Sequence, residues 1–94
     1  MRVRYVIVFR KEKLNLKGVL EDLSRYGTVS ETQDDELVGE DRIPVTLVYM
    51  DSNMVQFALI KRAYHLVPMQ DNEYVLLPME NEEEKQKVLE AIGK

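Results

Sequence analysis

An α+β domain is what the order of periodic segments predicts, and three observations carry that expectation. Val3 to Phe9 is a run of β-branched and aromatic residues bounded by arginines, the pattern of a strand. Directly after it, Leu16, Val19, Leu20, Leu23 and Tyr26 recur at helical spacing on one stripe. Ile43 to Met50 is a second strong strand, and a further apolar run, Met54 to Tyr64, follows it.

Taken in order, the elements build a sandwich. The first strand is apolar on both faces at its centre, with Val3, Tyr5, Ile7 and Phe9 on one side and Arg4, Val6 and Val8 on the other, so it belongs in the middle of a sheet. Asn15 is placed to cap the first helix, and Gly27 stands where a left-handed C-terminal cap is expected. Gly18 inside that helix costs about 1 kcal/mol relative to alanine, which points to close packing. Thr28 to Gln33 reads as a second strand. Residues 34–42 are either a long acidic loop or an extension of that strand through Leu37 and Val38 that turns at Gly39 to Arg42. Pro44 fits a strand end or an edge, because it cannot donate to a ladder.

Asp51, Ser52 and Asn53 are good capping residues for a helix over Met54 to Tyr64, whose apolar circumference is interrupted only by Gln56, Lys61 and Arg62; a strand over Met54 to Ile60 is the alternative. Leu66-Val67-Pro68-Met69 and Leu76-Leu77-Pro78-Met79 form a hairpin across a polar turn, and the last helix opens at Asn81 with Glu84 in a capping-box pattern and closes at Gly93. The first six elements follow the split β-α-β order of ferredoxin-like domains, with an additional C-terminal strand and helix. Residues 1–94 are read as a single domain.

Composition narrows the function classes. Cysteine is absent, which removes disulfide frameworks and thiolate metal sites, and abundant Glu and Lys without Cys is a bias of proteins from hot environments. Only five consecutive apolar residues, Tyr5 to Phe9, follow the N-terminus, too few for a signal core or a membrane span, so a cytoplasmic location is expected. The net charge of −4 is unevenly spread: residues 1–27 carry seven Lys/Arg against three acids, and residues 28–42 one Arg against six acids. That segregation suits oriented contact with a charged partner.

No residue pattern singles out a catalytic chemistry, and no catalytic, cofactor or metal residue is assigned. His65 is the lone histidine, Ser24, Ser30 and Ser52 lack a nucleophile-elbow context, and the four glycines are isolated rather than gathered in a phosphate loop. Asp34, Asp35, Glu36, Glu40 and Asp41 do not match a calcium loop and are read as a solvated or partner-docking acidic loop. Tyr5 and Phe9, with Tyr49 beside them and Arg2, Arg4, Arg10, Lys11 and Lys13 around them, would resemble the base-stacking sheet of RNA-recognition domains if the helices left that face open. Three functions are therefore carried forward. The leading one is a small non-enzymatic interaction or regulatory protein, of a kind viruses also use, acting through protein contacts as a homodimer across Met54, Phe57, Ile60 and Tyr64. The others are single-stranded nucleic-acid binding through the basic N-terminal strand, and a small enzyme or metabolite sensor.

Overall fold

In the computed structural model, which describes residues 2–38, 42–64, 74–78 and 82–92, the chain is a mixed α+β protein with a four-stranded sheet and three α-helices. The elements run β1 (Arg2–Arg10), a single 3-10 turn (Lys11–Lys13), α1 (Leu16–Leu23), β2 (Thr28–Val38), β3 (Arg42–Asn53), α2 (Met54–Ala63), β4 (Tyr74–Leu76) and α3 (Glu82–Ile92). Among the described residues no helix is long and apolar enough to cross a membrane.

The sheet order is β2-β3-β1-β4, which puts the doubly apolar β1 in the interior, as its pattern requires. β1 pairs antiparallel with β3 along its whole length, from Arg2 opposite Asn53 to Arg10 opposite Val45. Strand register then sorts the side chains. Tyr5, Ile7 and Phe9 share a face with Val48 and Met50, and this face is closed by Leu23 of α1 and Phe57 and Ile60 of α2. The opposite face carries Val8, Ile43 and Val45, and Val88 of α3 seals it together with Leu77. Two helices thus cover one side, and among the described residues α3 packs against the other.

Several boundaries differ from the sequence expectation, each for a local reason. Of the two alternatives for the acidic segment the strand extension holds as far as Val38: Leu37 lies opposite Ile43 and Val38 opposite Arg42, because Leu37 has an apolar partner across the ladder and beneath α3. A bulge between Val29 and Glu31 absorbs one residue. β3 continues through Asp51 and Ser52 to Asn53, which then caps α2 in a reciprocal capping box with Gln56. Met54 to Ala63 is helix, so the strand alternative falls. Pro44 lies in an interior strand, but β1 has already ended at Val45, so only β2 lies alongside it.

Gly27 is not a helix cap. α1 ends at Leu23, and Gly27 is outside the left-handed region; a Cβ there would sit 2.3 Å from Ser52 Oγ and 2.4 Å from the Asp51 carbonyl oxygen. Asn15 does cap α1, accepting from the Gly18 amide at 3.3 Å, and Gly18 is small because a Cβ would crowd that cap at 3.1 Å. The strand expected over 66–69, His65, Asn81 and Gly93 lie outside the described residues. β4, the additional strand, pairs parallel with β1 from Tyr5 opposite Tyr74 to Ile7 opposite Leu76.

Candidate interaction surfaces

The residues put forward for base stacking are divided by the sheet. Tyr5 and Phe9 are buried on the face under α1 and α2, so neither ring reaches solvent, and the stacking platform they were to form does not exist. Tyr5 instead stacks on Phe57 at 5.1 Å between centroids and donates its phenol hydrogen to Ser52 Oγ at 2.6 Å, while the Ser52 hydroxyl donates to the Tyr26 carbonyl at 2.6 Å. That chain satisfies three buried polar groups where β1, β3 and the end of α1 meet.

The basic residues are largely spent on intramolecular partners. Arg2 grips Asp51 with two bonds, Nε to Oδ2 at 3.1 Å and Nη2 to Oδ1 at 2.9 Å; Lys11 bonds Asp34 at 2.9 Å; Arg10 pairs with Glu12. The Lys13 side chain, Glu40 and Asp41 lie outside the described residues. Arg2 holds the Asp51 carboxyl below its ordinary pKa, and Lys11, assisted by the Thr46 hydroxyl, does the same for Asp34. These contributions are present above the ordinary carboxylate pKa and are lost as pH falls through the depressed folded values.

Arg4 and Tyr49 lie on the other face, away from the described contacts of α3. With Val6, Ser30, Glu31 and Asp51 they line a shallow groove of about 340 Å³. Its charged lining is Arg4, Glu31 and Asp51, the last already held by Arg2, with Tyr49 as an aromatic wall.

The acidic residues form an edge. β2 is the outermost strand, and its carboxylates alternate between faces: Glu31 and Asp35 on one side, Asp34 and Glu36 on the other. Asp34 pairs with Lys11 and also accepts from Thr46 at 3.0 Å, and Glu36 faces Arg42 at 3.8 Å. Alternation keeps the four from converging, and among the described residues no three metal-ligating side chains gather.

The four residues put forward as a dimer interface are also divided. Phe57 and Ile60 belong to the molecule's own core, and Tyr64 is half-buried and donates to Asp22, so these three are unavailable to a second copy. Met54 is exposed, joined by two residues that were not singled out: Met54 is 56% exposed, Val55 72% and Leu59 47%. A helix that buries Phe57 and Ile60 inward presents Met54, Val55 and Leu59 outward, so its outer side is apolar over the first turns and carries the exposed Arg62 in the last. The signal was in the sequence, since Val55 and Leu59 are an i, i+4 pair.

Burial and the adjacent Asp22 carboxylate push the Tyr64 phenol well above its ordinary pKa of 10.0, and burial raises Tyr5. A folded pKa above the unfolded value means stability is intact below pH 10.0 and is lost as pH rises beyond it. Urea midpoints should therefore fall steeply above that pH, and Tyr64→Phe should flatten the slope; a wild-type midpoint that stays level to the alkaline limit would contradict this arrangement.

No family model, no curated protein and no solved structure matches the chain. The surfaces themselves therefore carry the functional reading.

Proposed function

We propose that the protein is a small non-enzymatic interaction module, built on the split β-α-β framework of ferredoxin-like domains, that pairs with a second copy of itself through the outer stripe of α2. The observation that supports this reading is the exposed Met54, Val55 and Leu59 on a helix whose inner side is already committed to the core. Ala58 lies exposed between them, flanked by the Val55 and Leu59 ridge. One stripe thus offers both a ridge and a small-residue gap, the self-complementarity that a two-fold, isologous contact needs. β4, the additional strand, runs parallel to β1, and the strand over 66–69 that would complete the ferredoxin-like pattern lies outside the described residues.

Size sets the strength of such a pair. The helix has ten residues and is about 15 Å long, so an interface confined to it falls short of the roughly 800 Å² per partner of a standard complex. The association is therefore concentration-dependent rather than permanent. Sedimentation equilibrium should show reversible dimerisation that the double variant Val55→Asp, Leu59→Asp abolishes. Because both side chains are exposed, that variant should keep its melting temperature within a few degrees. Dimerisation that persists in the folded double variant would refute the reading.

A further inference from the structure

We infer that the free edge of β2 receives an extended, lysine- or arginine-bearing segment of a partner protein, which adds to the sheet as a fifth strand. Beyond the bulge, β2 runs in regular register with β3 from Glu31 to Val38, and among the described residues nothing pairs with its other side. Such an edge presents a row of backbone donors and acceptors that an extended polypeptide satisfies by strand addition.

Charge decides what that strand is. A second copy of β2 is opposed in every antiparallel two-fold register centred on the acidic run. Centring on Gln33 sets Glu31 against Asp35 of the copy, centring between Gln33 and Asp34 sets Glu31 against Glu36, and centring on Asp34 or Asp35 sets that residue against itself. Like charges directly opposite each other destabilise a ladder, so the edge rejects its own kind. A cationic strand turns the positions of Glu31 and Asp35 into favourable cross-strand pairs on one face, while Asp34 and Glu36 on the other already face Lys11 and Arg42. Glu31 and Asp35 form no ion pair among the described residues, which leaves them for the incoming side chains. Glu31 and Asp35 lie on the face of the sheet opposite the one that α2 covers.

The test uses the full chain and two labelled octapeptides, one alternating lysine with threonine and one alternating glutamate with threonine. Fluorescence anisotropy at low salt should show binding of the lysine peptide alone, and hydrogen exchange should show new protection at residues 31–37. Glu31→Lys with Asp35→Lys should weaken the lysine peptide by about tenfold or more and admit the glutamate peptide. Glu21→Lys with Glu90→Lys, an equal change in net charge on exposed helix positions, should leave affinity within about twofold. The proposal is overturned if the lysine peptide fails to bind, if protection appears elsewhere, or if the helix variant weakens binding as much as the strand variant. Val55→Asp, Leu59→Asp should bind the peptide unchanged, so failure here and failure of dimerisation are separable.

Discussion

Phe57→Ala should lower stability by about 3–5 kcal/mol, a large share of the roughly 5–15 kcal/mol that holds a domain of this size together. The ring is 5% exposed and lies between Tyr5 at 5.1 Å and Tyr74 at 5.3 Å, with the Lys61 ammonium 4.7 Å above it. Truncation would leave a cavity where β1, β4 and α2 meet, and neighbouring Ile60 and Leu76, both fully buried, have no freedom to fill it. The melting temperature should drop by about 15 °C or more. Val55→Ala, two residues away on the exposed side, should move stability by no more than about 0.5 kcal/mol. Thermal melts followed by circular dichroism check both. Equal losses at the two positions would mean that α2 is not oriented as described.

Gly27→Ala should cost about 3 kcal/mol, from overpacking and from disruption of a buried hydrogen-bond chain. The added methyl would lie 2.4 Å from a backbone carbonyl oxygen, which no rotamer change relieves, and 2.3 Å from the Ser52 hydroxyl that links Tyr5 to Tyr26. Gly18→Ala is the matched control. There the nearest atom belongs to the movable Asn15 side chain at 3.1 Å, so improved helix propensity offsets the strained cap and the change should stay under about 1 kcal/mol. Urea denaturation of the two variants separates close backbone approach from helix propensity, and a mild effect at Gly27 would contradict the tight junction.

The interior of this fold was legible because burial writes itself into periodicity. β1 announced its central place through two apolar faces, and α1 through its stripe and its Asn15 cap. What local pattern could not show was which face of β1 the helices would take, since Tyr5 and Val8 are equally apolar signals; α1 and α2 closing over Tyr5 and Phe9 is a tertiary choice. For acidic β2 the pattern left loop and strand extension both open, for a related reason. Strand propensity opposes Asp and Glu, yet Leu37 opposite Ile43 and the length of β3 hold the segment in the ladder. For α2, a helix apolar nearly all round signalled an exposed apolar side as well as a buried one, but not which side faced home. Met54, Phe57, Ile60 and Tyr64 were read as one interface, whereas the helix turns Phe57 and Ile60 into the core. The direction of β4 depends on how the chain leaves α2, and no periodicity encodes that.

Self-association through α2 is tested most directly by backbone amide spectra recorded over a dilution series from about a millimolar to a few micromolar, a range that brackets weak dimers. The amides of Met54, Val55, Ala58 and Leu59 should shift progressively with concentration, while those at the centre of β1 stay fixed. Spectra unchanged across the whole range, or shifts confined to another surface, would show that the outer stripe of α2 does not join two copies.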